Sequence, residues 1–178
     1  MYETLNELKN KQKYISVYTK PGDPDKFSFG RIICLSNQLL VLRSITPDGS
    51  DDGLSVKEIC DVFRVDEDSQ YCKKMEKLMK ASGCQEPDFD DEEIDEDNIV
   101  SSVLELSRRK NWVITVWPYD GEGIIGTVES LNGDVCVINQ LDDYGKDDGK
   151  TTVFTESITE IWCNSSDERI ISKLRTSE

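Results

Sequence analysis

Phe29-Gly30-Arg31-Ile32 and Leu39-Leu40-Val41-Leu42 have near copies further along the chain, Ile125-Gly126-Thr127-Val128 and Val135-Cys136-Val137-Ile138, all at one offset. At that offset Gly49 also meets Gly145, and Asp51-Asp52-Gly53 meets Asp147-Asp148-Gly149. Three extra residues in the later copy then set Ile59-Cys60-Asp61-Val62-Phe63 beside Ile158-Thr159-Glu160-Ile161-Trp162. Working outward, residues 5–78 and 103–174 carry the same order of signals: an amphipathic segment, a β-rich block with a glycine in its second strand, an Asp-Asp-Gly turn and a closing amphipathic segment. A duplicated unit sets fold and boundaries ahead of any single motif. The expected division is a first helix-plus-barrel unit over 1–82, an acidic linker over 83–97 and a second helix-plus-barrel unit over 98–178.

Within each copy the period of the apolar residues separates helix from strand. Leu5 and Leu8 stand one helical turn apart, and 14–18 then runs apolar and β-branched as a first strand. Pro21-Gly22-Asp23-Pro24-Asp25 is a loop, because proline fixes φ and glycine permits positive φ. Strands follow over 27–35, 39–45, 54–58 and 60–65, and Asp66-Glu67-Asp68-Ser69 caps a helix with an apolar face of Tyr71, Cys72, Met75, Leu78 and Met79. In the second copy Asp97 or Asn98 caps a helix through Val100, Val103, Leu104 and Leu106, whose Arg108-Arg109-Lys110 ending suits the negative end of the helix dipole. Strands are expected over 112–117, 124–131, 135–141, 151–155 and 158–163, and a last helix over 167–174 buries Ile170, Ile171 and Leu174.

A helix followed by five short strands, with a glycine at the bend of the second, describes a strongly curved antiparallel sheet that buries one face by curling into a small barrel. This pattern resembles the Sm-like fold, an SH3-type barrel with an N-terminal helix, over both copies. The likeness is carried by Gly30-Arg31-Ile32-Ile33, Leu39-Leu40-Val41-Leu42, Gly126-Thr127-Val128 and Val135-Cys136-Val137-Ile138. It implies a mainly β chain of two tandem barrels with flanking helices. The Asp-x-x-x-Asn stretch and Arg-Gly pair of RNA-binding Sm proteins are not supplied at Ser36-Asn37 or Ser55-Val56-Lys57.

The formal charge of −15 is unevenly placed. Residues 1–85 hold 13 acids and 13 bases, 86–97 hold nine acids and no base, and 98–178 hold 14 acids and eight bases. A polyanion is repelled by the linker and second unit, though not by the first. Lys9, Lys11, Lys13, Lys20, Lys26, Arg31 and Arg43 offer a modest positive face for RNA or an acidic partner, the chain's own linker included, or form an ordinary solvated surface. In the run 88–97, eight acids in ten residues resist packing while Phe89 and Ile94 supply apolar anchors. Phe89, Asp90, Asp91, Glu92, Glu93 and Ile94 are therefore the candidate partner-binding residues, with a solubilising linker as the plainer reading.

The chain has no histidine, which removes Ser-His and Cys-His catalysis and imidazole proton shuttles. Its six cysteines are widely spaced with no Cys-x-x-Cys pair, so a zinc site and a disulfide framework are not expected. The alignment sets Cys60 beside Thr159, Cys163 beside Arg64, Cys34 beside Ser130 and Cys136 beside Leu40, which makes most of these thiols small, partly buried side chains. The Asp-Asp-Gly pairs lack the ligand ladder of a calcium loop and read as hairpin turns. Matched aromatics, Tyr18 with Trp117 and Phe63 with Trp162, suit packing within or between barrels more than stacking on single-stranded nucleic acid. No apolar run is long enough to span a membrane and the first residues carry no leader pattern, so the expected location is cytoplasmic. The expectation is a non-catalytic acidic binding protein, without cofactor or metal, acting as adaptor, inhibitor or immunity-type protein on a basic protein. The alternatives are an Sm-like RNA-associated protein and a structural subunit that assembles through barrel edge strands.

Overall fold

A computed structural model describes residues 1–23, 25–83, 94–119 and 121–175. Their order is α1 (Tyr2–Asn10), β1 (Tyr14–Tyr18), β2 (Ser28–Leu35), β3 (Leu39–Ile45), β4 (Asp51–Glu58), β5 (Arg64–Glu67) and α2 (Gln70–Ser82). The second half continues with α3 (Ile99–Lys110), β6 (Val113–Pro118), β7 (Ile124–Asn132), β8 (Val135–Leu141), β9 (Asp147–Phe154), β10 (Ile158–Cys163) and α4 (Ser166–Arg175). The chain is mainly β, and every strand joins a single antiparallel sheet in the order β5-β1-β2-β3-β4-β10-β6-β7-β8-β9. Each half has the same internal order, with its fifth strand outside its first and its fourth at the far side. The halves meet where β4 pairs with β10, Leu54 opposite Cys163, Val56 opposite Ile161 and Lys57 opposite Glu160.

The glycine bends appear where the sequence puts them. A Cβ on Gly30 would lie 2.1 Å from the Arg43 carbonyl oxygen, and one on Gly126 would lie 2.2 Å from that of Asn139. Only a residue without a side chain admits that approach. Bulges fall at matching places, between Ile32 and Cys34 and between Val128 and Ser130, and each adds curvature.

Hydrogen-bond register corrects the alignment at one point. Ile15 faces Gly30 as Ile114 faces Gly126, and Val65 faces Val17 as Ile161 faces Val116. The three-residue difference therefore lies in the connection after the first strand of each half, not before the fifth. Cys163 corresponds to Glu67, not Arg64, Cys60 to Glu156, not Thr159, and Phe63 is not the counterpart of Trp162. The slip was invisible because Ile59 and Val62 have the same spacing as Ile158 and Ile161, so the apolar pattern fits either way.

Three further expectations change. Asp51-Asp52-Gly53 and Asp147-Asp148-Gly149 open strands β4 and β9. The tight turns precede them, closed by Thr46 N–H to the Ser50 carbonyl (2.9 Å) and Asp142 N–H to the Lys146 carbonyl (3.0 Å). Cys60 and Asp61, expected in a strand, form a short 3-10 turn with Ile59, because the chain must turn a corner before β5 can return to β1. On α4 only Ile171 of the expected trio is buried; Ile170 and Leu174 are exposed, lying on the helix face turned from the sheet.

The largest apolar cluster takes side chains from both halves, including Val41, Leu54 and Val56 with Leu104, Ile114 and Ile161. Leu54 and Ile161 are fully enclosed, and burial of each such side chain contributes about 1.5–3 kcal/mol. A second cluster, Leu5, Leu8, Ile15, Leu40 and Leu42, lies under α1. In a third, Met75 and Cys72 of α2 pack on Phe29. Four of the five described cysteines are buried, with Cys60 exposed. Among the described residues, no helix is long and apolar enough to cross a membrane.

Candidate functional site at the acidic edge of the sheet

Asp51-Asp52-Gly53, at the start of β4, occupies the junction between the halves. Asp52 Oδ1 accepts the Ser166 N–H at 2.7 Å, and Arg169 Nη2 donates to the Asp51 carbonyl at 2.8 Å. Arg169 Nη1 donates to the Asn164 carbonyl at 2.6 Å and stands 3.5 Å from Asp51 Oδ2. Burial pushes the Asp51 carboxyl up from its ordinary value, against the Gly53 N–H and the Arg169 and Arg43 guanidiniums. Gly53 has φ +68°, and a Cβ there would lie 2.1 Å from the Cys163 carbonyl oxygen. Carboxylates near the first turn of α4 suit the positive end of its dipole, so this corner binds a strand, the helix that follows it and a cation on that helix.

Ser165 and Glu168 complete the helix start. The Ser165 N–H donates to Glu168 Oε2 at 3.0 Å and the Asp167 N–H to Ser165 Oγ at 3.3 Å, while Thr115 Oγ1 donates to Glu168 Oε1 at 2.6 Å. This reciprocal capping holds α4 on β6. Across the same junction Lys57 is almost enclosed, 2.5 Å from Glu160 Oε1 and 4.7 Å from the Trp162 ring centre. The Trp162 N–H donates to the same carboxylate oxygen at 2.8 Å. Burial lowers the Lys57 pKa despite Glu160, and it works to raise Glu160, whose pKa Lys57 and Trp162 nevertheless hold below the usual range. A cleft opens above this pair, lined by Trp117, Trp162, Phe27, Lys20 and Lys26.

The second Asp-Asp-Gly corner has the same local build and a different environment. Gly149 N–H donates to Asp147 Oδ1 at 2.8 Å, as Gly53 N–H donates to Asp51 Oδ2 at 3.2 Å, and Gly149 has φ +88°. A Cβ on Gly149 meets nothing within 4 Å. β9 pairs with β8 on one side and forms an outer edge of the sheet on the other. Residues 147–150 are exposed, whereas at the same register in β4 Asp51 and Asp52 are half-buried and Gly53 and Leu54 are buried. Asp143 adds a further exposed carboxylate on the preceding turn, and Phe154 exposes 58% of its surface at the end of the edge.

Of the sequence-derived candidates, Phe89, Asp90, Asp91, Glu92 and Glu93 lie outside the described residues. Ile94 is 5% exposed and packs in the core shared by both halves, with its carbonyl accepting the Cys34 thiol at 3.7 Å. Glu96 pairs with Lys9, so the end of the acidic run rests on the first half. Lys11 pairs with Glu7 and Lys13 with Asp68 at 2.7 Å, and Arg43 is 4% exposed. The expected positive face is thus partly spent on the chain's own carboxylates. Tyr18 packs against Phe27 with ring centres 5.0 Å apart, while Trp117 and Trp162 line the junction cleft. Arg169 and Ser166 were missed because their roles depend on β4 lying beside β10, which no local pattern encodes. No protein-family model, curated protein or solved structure matches this chain.

Proposed function

We infer that this chain is a non-catalytic interaction protein whose acidic surface binds a basic protein. The observation that carries this reading is the contrast between the two Asp-Asp-Gly corners. The first grips a strand, a helix start and Arg169; the second has the same backbone, exposed carboxylates and an open strand edge. An open edge with acidic flanks suits a basic element that adds a strand, since backbone bonds supply affinity and charge supplies approach and register. The acidic run from Asp88 to Asp97 adds charge of the same sign to the chain. The matching strand order, bulges and glycine bends support reading 1–82 and 98–178 as two curled, Sm-like barrels of common design. RNA binding draws less support, because Lys9, Lys11 and Lys13 are engaged with carboxylates.

Affinity capture with the full chain as bait, followed by elution with increasing salt, tests the reading. A captured basic protein should elute as salt rises and bind more weakly when Asp147 and Asp148, or Asp90, Asp91, Glu92 and Glu93, become amides. Affinity unchanged by salt and by both sets of substitutions would falsify it.

A further inference from the structure

We propose that the cleft over the junction of β4, β10 and β6 is a binding site for a small aromatic carboxylate, with the ring held by Trp117 and Trp162 and the carboxylate by Lys57 and Lys20. This site is separate from the acidic β9 edge and does not depend on what that edge binds.

The strand register places the floor. Lys57, Glu160 and Trp117 stand opposite one another across β4, β10 and β6, and Ser55, Trp162 and Thr115 form the next row on the same face. The alternate residues, Val56, Ile161 and Val116, belong to the shared core on the other side of the sheet. Two indoles thus lie beside a buried ammonium, between walls made by the β1–β2 connection and the start of α4. The cleft measures about 400 Å³, within the range of about 300–1,000 Å³ that small-molecule sites occupy.

Both rings are fixed in advance. Glycine at position 123 lets the backbone lie against Trp117, since a Cβ there would come 2.9 Å from the ring's Nε1 and Cε2. Trp162 is held by its N–H on Glu160 and by the Lys57 ammonium over its ring. Phe27, on the wall, touches Tyr18 and Tyr71 with ring centres 5.0 and 4.9 Å away. Rings already held in place lose little freedom on binding, so their contact area goes to affinity.

Lys57 decides the polar end of the ligand. It is 4% exposed, and of the three donors of its ammonium one has an acceptor among the described residues, Glu160 Oε1. A buried ion recovers its lost hydration only when its remaining donors are also satisfied, and a carboxylate in the cleft supplies the missing acceptors. Burial works against the ammonium form, and an anion at Nζ favours it. The Lys20 charge acts on both members of the pair, so Lys57 and Lys20 against Glu160 leave one positive charge, which one carboxylate matches. On the helix side Asp52 and Glu168 are taken up by the Ser166 and Ser165 N–H groups.

Titration of phenylacetate into the nitrogen-15-labelled full chain, followed by NMR through the indole N–H resonances of its tryptophans, tests the site. Those of Trp117 and Trp162 should shift to saturation with a Kd of about 0.1–1 mM, as suits a ligand of about ten heavy atoms, while that of Trp112, which packs on the shared core, stays in place. Acetate, which lacks the ring, and phenethylamine, which reverses the charge, should each bind at least about tenfold more weakly. Lys20→Glu should weaken phenylacetate binding by about threefold or more, and Lys57→Met combined with Glu160→Met by about tenfold or more, as expected for losing an exposed charge pairing and a hydrogen bond to a buried ion. Circular dichroism checks the fold of each variant, and Lys20→Glu, at an exposed position, decides alone if the double variant does not fold. No saturable shift up to about 10 mM, binding of acetate or phenethylamine as tight as that of phenylacetate, or unchanged affinity in a folded variant of either kind overturns the proposal.

Discussion

Gly53→Ala and Gly149→Ala introduce the same methyl group at positions of the same backbone conformation, so their difference isolates the junction between the halves. Both variants incur the left-handed cost of a side chain, about 1–2 kcal/mol. At Gly149 the new Cβ meets open space and that is the whole effect. At Gly53 it would sit 2.1 Å from the Cys163 carbonyl oxygen and 2.6 Å from that of Asn164, both backbone atoms that cannot rotate aside. β10 must withdraw, which strains the Asp52–Ser166 and Arg169–Asp51 bonds and the adjoining Leu54–Cys163 pair. Two or three hydrogen bonds at about 1 kcal/mol each bring the Gly53→Ala loss to about 3–5 kcal/mol. Urea denaturation followed by circular dichroism, at low protein concentration so that self-association does not contribute, measures both variants. Losses equal within about 0.5 kcal/mol would refute the argument that β4 is closed by β10 and β9 is open.

The remaining predictions concern charge and thiols. Lys57→Met should destabilise the chain by about 2–3 kcal/mol, below the 3–5 kcal/mol of a fully buried pair because Glu160 keeps 24% of its side chain exposed; Lys57→Met with Glu160→Met should recover most of the loss in the same denaturation assay. Asp51 has a folded pKa above its ordinary 3.8, so its folded state holds the proton more tightly and its contribution to stability is lost as pH rises through the folded value. Asp51→Asn should therefore gain stability relative to the wild type on going from about pH 3.8 to pH 7, and a difference that shrinks over that interval would contradict the burial argument. Cys34 and Cys136 are pushed up to about 11 and Cys163 to about 12 by burial. In a Cys84→Ser background the native chain should expose one thiol to Ellman's reagent at pH 8, that of Cys60, and Cys60→Ser should abolish the fast reaction.

Local elements were legible because their signals are local. The β-branched runs at 14–18, 39–45 and 135–141 gave strands with the expected bounds, and Ser69 capped α2 as its position suggested. The exposure of Ile170 and Leu174 was not legible, since a short helix with three apolar residues does not reveal how many of them the sheet reaches. Equally hidden was the division between the two Asp-Asp-Gly tripeptides. They are identical in sequence and both set their glycine at positive φ, and only the pairing of β4 with a strand more distant in the chain makes one a clamp and the other an open corner. The acidic run stood out by composition alone, yet Ile94 serves the shared core and Glu96 serves Lys9, uses that depend on where the chain returns rather than on what the run contains.

The pairing of β4 with β10 also sets a timetable. β4 can lie on β3 as soon as it is made, but the strand that covers its other side follows roughly a hundred residues later. At about 5–20 residues per second of synthesis, that edge waits about 5–20 s with Leu54 and Val56 uncovered. During that interval the half-made chain presents a long apolar edge strand, the feature that nascent proteins most need to shield. The β10 segment of another nearly finished chain can fill the same place, so strand exchange between neighbouring nascent chains competes with correct closure whenever synthesis is crowded.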